Sequence, residues 1–241
     1  MPDETGTKND EAIAKTQIRG LCTERTNAKL VRNKFMVLSK NGKPISVWTG
    51  STNVSRNALF GQLNVGHAIH DRTFTQQFRA YWTGLKGDPL LDDLKGWMEE
   101  QNVIPPADQT VALTQIFSPH RGRGVLDCWI KLANTEKPLF MTFPFGIVKD
   151  FRPAFDKNDG ILRLALLYKY VNGGTQDSRV AAIAHVERIR RLPNIGMARS
   201  TNIFVDWIDG WRKESAPLGV RANWVHTKFM LIDLSETSGS L

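Results

Sequence analysis

Residues 224–234 read WVHTKFMLIDL and place His226, Lys228 and Asp233 around a short apolar run. These three types suit phosphoryl transfer. The lysine is a compact point charge that holds a phosphoryl oxygen. The imidazole attacks phosphorus or protonates a leaving oxygen near neutral pH, and a carboxylate orients such a histidine. The apolar run predicts a strand, in which side chains alternate between faces. His226 and Lys228, two apart, then share a face continued by Met230 and Ile232, while Phe229 and Leu231 point the other way. Asp233 falls at the strand end. An edge strand carrying a solvated histidine and lysine has the same spacing, so the spacing alone leaves both readings open.

A second segment, residues 30–40 (LVRNKFMVLSK), shares the core of the pattern. Aligning RNKFMVLS with HTKFMLID pairs Lys34 with Lys228, Phe35 with Phe229 and Met36 with Met230. Two similar strands far apart suggest an internal repeat, with the two lysines facing one cleft and His226 at its wall. Arg32 stands where the histidine would be, and Ser39 where the aspartate would be. Gly50-Ser51-Thr52-Asn53 follows. The glycine permits a tight turn, and the Ser51 hydroxyl, the Asn53 amide and nearby N–H groups suit a phosphate cradle. The same four residues are also ordinary turn composition.

Other groups carry less. His67 and His70 flank a strand dipeptide, and residues three apart on a strand face opposite ways, so no shared metal is expected there. His120 and His185 have no fixed partners in the sequence. Cys22 and Cys128 form neither a metal-ligand spacing nor a disulfide framework. No metal and no cofactor is expected.

These residues need elements to hold them. Lys34–Leu38 and 45–50 read as strands joined by an Asn41-Gly42 hairpin turn. Residues 65–71 read as another strand. Phe74, Phe78, Trp82 and Leu85 then recur at helical spacing, with Thr73 and Gln76 as a capping box. A helix around LLDDLKGWMEEQ precedes NVIPPAD, a Pro-rich linker. After it come a strand at 111–118, a helix at 125–134, an apolar strand in KPLFMTFPFGI, a short helix in KDFRPAF and a buried strand at 161–171. A helical or mixed stretch from 177, a short strand at 201–207 and the final strand complete the chain. The Phe74, Phe78 and Trp82 stripe reads as core packing rather than a stacking platform. Strands alternating with helices predict an α/β sandwich.

The 241 residues allow one large domain or two small ones. With 41% apolar residues, seven Trp and twelve Phe, the chain has material for a core and is excluded from the disordered class. The net charge of +8 favours anionic partners such as phosphate esters, nucleic acid or an acidic membrane surface, and also serves simple solubility. The basic residues are scattered apart from RIRR at 188–191, which is short for a nucleic-acid tail. No signal peptide is visible at the polar, acidic start, and the apolar runs are too short to span a bilayer, so a cytoplasmic protein is expected.

The residues then take on a family likeness. HTKFMLID resembles the H-x-K-x(4)-D signature of the phospholipase D-like superfamily. NKFMVLSKNGKPISVWTGSTNVS is similar to the first-half motif of a bacterial-type branch, including its Gly-Ser-x-Asn, and IFSPHRGRGVLDCWIKLANTEKPLFMTFPFGIVKDF is similar to the opening of the second half. The resemblance spans residues 28–234 or so. It implies a phospholipase D-like α/β sandwich, with mixed sheets flanked by helices and an incomplete pseudo-twofold repeat. Residues 1–27 would be poorly ordered, 28–104 the C-terminal part of the first half, and 105–241 the N-terminal part of the second, ending just after the motif. It implies metal-independent phosphodiester hydrolysis or phosphatidyl transfer through a phosphohistidine, on phospholipids or nucleic acids. His226, Lys228, Asp233 and Lys34 would be catalytic, and Arg32, Ser51 and Asn53 would bind substrate.

Two departures matter. Arg32 binds phosphate bidentately but is always protonated and cannot shuttle a proton. The chain also stops before a second Gly-Ser-x-Asn and carries little ahead of residue 28, which predicts a fragment, a truncated product or a degenerate copy. Its incomplete halves would then promote self-association, and peripheral membrane contact is a further expected partner. The alternatives are a non-catalytic relative that binds phosphate-containing or protein partners, and a nuclease of the same superfamily.

Overall fold

A computed structural model describes residues 4–27, 33–55, 58–59, 62–101, 104, 113–167, 174–198 and 224–232. Arg32, Asp233, the expected strand at 201–207 and nearly all of the expected linker lie outside the described residues.

The fold is mixed α/β. Strands β1 (Phe35–Lys40) and β2 (Lys43–Gly50) form a hairpin, and β3 (Gln62–Leu63) and β4 (Gly66–Ile69) follow. One sheet runs β1-β2-β4, antiparallel throughout. The hairpin forms because Asn41 and Gly42 both take positive φ, 50° and 75°, which matches the strand twist. Helix α2 (Arg72–Lys86) lays Phe74 and Phe78 on Val47, with Phe35, Val37 and Ile69 around them. Further along it, the buried Tyr81 and Leu85 meet Leu94 and Met98 of helix α3 (Leu91–Gln101).

The cap of α2 differs from the expected one. The helix starts at Arg72, and the Asp71 carboxylate accepts from Phe74 N at 2.7 Å. Asp71 wins because Thr73 lies inside the first turn, where its hydroxyl cannot reach the N-cap donors. The expected strand at 111–118 also differs. Among its described residues, 113–118, none joins a ladder. Phe117 instead stacks on Tyr81 with ring centroids 4.4 Å apart and meets Phe78 edge-on at 4.8 Å, so aromatic packing fixes this segment.

A second sheet runs β7-β6-β5-β9, from β5 (Leu139–Phe143), β6 (Arg163–Leu167), β7 (Ile195–Ala198) and β9 (Met230–Ile232). The first three are parallel and β9 is antiparallel to β5. Helices α4 (Gly124–Ala133), α5 (Arg152–Phe155) and α6 (Gln176–Ile189) flank it. Leu139, Met141, Phe155, Leu167, Val186 and Ile189 make its core, and Met230 and Ile232 pack against that core. At the head of β6, Arg163 is fully buried and forks onto Asp159 at 2.6 and 2.8 Å.

The two aligned strands bury opposite registers. Phe35 and Val37 face the core from β1, leaving Met36 and Leu38 58% and 59% exposed. In β9 the partners of Met36 and Leu38, Met230 and Ile232, are the covered ones.

Residues 1–27 read as poorly ordered, yet the described part holds helix α1 (Glu4–Thr16) and a 3₁₀ turn at Arg19–Leu21. Its EAIAKT stretch is strong helix-forming sequence, which forms local structure with few core contacts. Beyond it, Thr26 and Asn27 are tied to Asp88 by hydrogen bonds of 2.7–3.3 Å.

Candidate functional site

The last segment is not one strand. Strand β8 (Trp224–Val225) pairs parallel with β3, β9 begins at Met230, and residues 226–229 cross between two sheets. Thr142 causes the break. Its hydroxyl donates to Thr227 O at 3.0 Å and accepts from Phe229 N at 3.0 Å, while its own N–H donates to Phe229 O at 3.2 Å. A side chain therefore satisfies the backbone where the ladder would have continued, and the chain turns away. The expected alternation of faces from His226 to Ile232 does not apply across this bend.

The crossing carries His226 to the Gly-Ser-Thr-Asn loop. The β3–β8 register pairs Leu63 with Val225, which brings His226 level with Asn64. His226 Nδ1 lies 2.9 Å from Ser51 O and 3.3 Å from Asn64 Oδ1. A backbone carbonyl only accepts, so in the neutral ring Nδ1 carries the proton and Nε2 carries the lone pair. Asn64 is oriented by its neighbours: Nδ2 donates to Ala58 O at 3.0 Å and Gln62 O at 3.4 Å, which turns Oδ1 toward the histidine. The buried Ser51 hydroxyl donates to that Oδ1 at 3.0 Å and accepts from Val65 N at 3.0 Å.

Gly50 makes this loop fit. Its N–H donates to Lys34 O at 3.3 Å, and a Cβ there would run into the Val65 carbonyl oxygen. Only glycine allows β2 and the 64–65 turn to approach so closely. Thr49 Oγ1 also donates to Lys34 O at 3.3 Å, so Lys34 is anchored to the residues that lead into the loop. Lys34 lines a cavity of about 340 Å3 with Gly50, Tyr81 and residues 115–118. Tyr81 donates to Ser118 O at 2.7 Å and lies 3.0 Å from Asn33 Oδ1, and burial pushes its phenol up to about 12. It is a fixed neutral group there.

Lys228 donates to His226 O at 3.0 Å, with its ammonium 5.7 Å from the centre of the Phe145 ring. It lines a different cavity, beside Phe145 and Phe229. Asn53 is exposed, and its carbonyl accepts from Ser55 N at 2.9 Å. Ser39 is exposed opposite Pro44. His67 and His70 are exposed, and among the described residues no group of three His, Cys, Asp or Glu is placed to hold a metal ion.

The structure thus joins the Lys34 backbone, Gly50, Ser51 and His226 through one continuous set of contacts, with Lys228 on the same crossing segment as His226, but Lys34 and Lys228 line different cavities, so the expected cleft shared by the two lysines is not formed. Arg32 and Asp233 lie outside the described residues. Sequence reasoning missed Asn64 and Thr142. Asn64 sits in the short stretch QLNVG, where an asparagine between two strands reads as a turn, and Thr142 looks like any strand residue. No described helix is long and apolar enough to cross a membrane. A scan against protein-family models and a search of curated proteins find no match to this chain.

Proposed function

We propose that the chain is a phospholipase D-like phosphodiesterase or phosphatidyltransferase that works without a metal, through a phosphohistidine at His226. The observation that carries this reading is the contact between two motif segments 175 residues apart, His226 Nδ1 on Ser51 O at 2.9 Å. The likeness of each segment to a half-site comes from sequence alone, and their meeting is an independent observation that supports it.

The chemistry follows from the tautomer. With Nδ1–H held by Ser51 O, the Nε2 lone pair attacks phosphorus. A Nε2–P bond forms, a P–O ester bond breaks, and the oxygen leaves with the electron pair. Water, or an alcohol in the transfer reaction, then attacks phosphorus, the P–Nε2 bond breaks and the imidazole is regenerated. Lys228, on the segment that carries His226, neutralises a non-bridging oxygen. The first step needs a proton for a poor leaving group, and the second needs a base for water. Arg32 occupies the position of the residue that would exchange these protons, and a guanidinium stays charged.

Arg32 also favours a second reading, a relative that retains phosphate binding and has lost turnover. Hydrolysis of bis(p-nitrophenyl) phosphate with metals chelated separates the two. The first reading expects slow turnover by the parent chain and none by His226→Ala. It expects an increase of about 10²–10⁴ in Arg32→His, the usual worth of a positioned acid or base. A parent chain and an Arg32→His variant that both bind phosphate esters without turning them over establish the second reading. Fast turnover unaffected by His226→Ala excludes the phosphohistidine route.

A further inference from the structure

We infer that the cavity between the N-terminal segment and the end of α2 is a second anion site, and that it takes a phosphate monoester carried on a small aromatic group. The site shares no described residue with the His226 contacts and does not depend on the phosphodiester reading above.

The cavity measures about 270 Å3 and is lined from three sides: Thr23 and Arg25, then Asn33 and Phe35 at the head of β1, then Trp82 and Lys86 of α2. Arg25 is its anchor. The side chain is 14% exposed, and its Nε is buried without a hydrogen-bond partner. The carboxylate beside it belongs to Asp88, whose Oδ1 is 3.7 Å from Nε and beyond hydrogen-bond reach. That carboxylate is engaged elsewhere. It accepts from Thr26 N at 3.0 Å, Thr26 Oγ1 at 2.7 Å and Asn27 N at 3.2 Å. A guanidinium held this deep gains from an anion that takes its N–H groups.

The rest of the lining suits the same ligand. Lys86 is exposed, with its ammonium 5.4 Å from the centre of the Trp82 ring, and the Arg79 guanidinium lies 4.8 Å from that centre. Arg25, Lys86 and Arg79 set against Asp88 leave an excess of positive charge that matches a dianion. A phosphate monoester carries close to two negative charges at neutral pH, and a carboxylate carries one. Trp82, 39% exposed, and Phe35 supply aromatic surface, so a ring leaves water there while its phosphate meets the cations. A bare phosphate would leave that surface wet. Asn33 and Phe35 also line the cavity of Lys34, so the two cavities adjoin across the head of β1.

The test is isothermal titration calorimetry of the full chain with phenyl phosphate, benzoate and inorganic phosphate, on either side of the second phosphate pKa of about 6. Phenyl phosphate should bind tightest of the three at about pH 7.5, and its affinity should fall roughly tenfold at about pH 5 as the dianion takes up a proton. Benzoate should hold its affinity, because no described residue lining the cavity titrates in that range. Arg25→Gln should weaken phenyl phosphate about 10–100-fold, the worth of hydrogen bonds to a charged group. Lys86→Gln, an exposed substitution, should weaken it several-fold, and Trp82→Gln should bring it down toward inorganic phosphate. His226→Ala and Lys228→Ala should leave it unchanged. The inference is overturned if phenyl phosphate does not bind, if benzoate or inorganic phosphate matches it, or if its affinity is equal at both pH values. A loss in His226→Ala or Lys228→Ala as large as that in Arg25→Gln overturns it too, and each of these results leaves the phosphodiester reading standing.

Discussion

At the scale of the residue, the account turns on which imidazole nitrogen is committed. Ser51 O and Asn64 Oδ1 both face His226 Nδ1, so the orientation of the ring depends on a polar network more than on one bond. Asn64→Ala removes an acceptor for the histidine and the Ser51 hydroxyl, and a donor to Ala58 O. It should cost about 1–3 kcal/mol of stability through part-buried groups left without partners. It should also lower kcat more than it raises KM, because the nucleophile loses its alignment. Asn64→Asp keeps the acceptors and should recover more of kcat than of stability. Denaturant midpoints and steady-state kinetics on the three proteins check both statements, and an Asn64→Ala variant with unchanged kcat would show that Asn64 does not position the ring. The sequence made His226, Lys228, Lys34 and Ser51 legible because their types and spacing carry chemistry. It left Asn64 and Thr142 hidden because their roles exist only once β3 and β8, or β5 and the crossing segment, are neighbours.

At the scale of the element, the site depends on two sheets held in register. The parallel sheet is pinned at the start of β6, where the buried Arg163 meets Asp159. The two guanidinium hydrogen bonds, with the Ile161 N–H at 3.1 Å, hold the Asp159 carboxyl well below the usual carboxylate range. A folded-state pKa below the unfolded one means stability that is present above the unfolded value, about 3.9. That stability is lost as pH falls further, toward the depressed folded value. Parent stability should therefore decline below about pH 4 partly through this group. Asp159→Ala should cost about 3–5 kcal/mol at neutral pH by leaving a buried guanidinium uncompensated, with a shallower acid slope. Equal acid slopes in parent and variant, measured by urea unfolding from pH 5 to 2.5, would contradict it. The apolar run around Arg163 announced a buried strand, but its arginine gave no sign of being buried, since the partner four residues earlier matters only in this turn. The last strand was overextended in the sequence reading for the same kind of reason. Periodicity sees apolar alternation, and it does not see a threonine on β5 that bonds across to residues 227 and 229.

At the scale of the whole molecule, the two motif strands are placed differently. Both are edge strands of their sheets among the described residues, but β9 lays Met230 and Ile232 against a core, whereas β1 leaves Met36 and Leu38 open. An exposed apolar edge strand favours pairing with another chain. Concentration-dependent association is expected in sedimentation, and Met36→Lys with Leu38→Lys should shift it to monomer; a parent chain that stays a compact monomer at high concentration would contradict this. The α/β class was legible in the alternation of strands and helices, while β3, β7 and α1 were not, being too short or too isolated to leave a periodic signature. The central claim, that two distant segments build one nucleophile, is tested most directly by rapid-quench kinetics with bis(p-nitrophenyl) phosphate. p-Nitrophenolate leaves without a proton, so the first step survives with Arg32 in place, while the second lacks a base for water. The account predicts a burst of one equivalent of p-nitrophenolate, followed by slow turnover, with the phosphoryl adduct on Nε2 of His226. Turnover without a burst, undiminished in His226→Ala, or an adduct on any other residue, would contradict it.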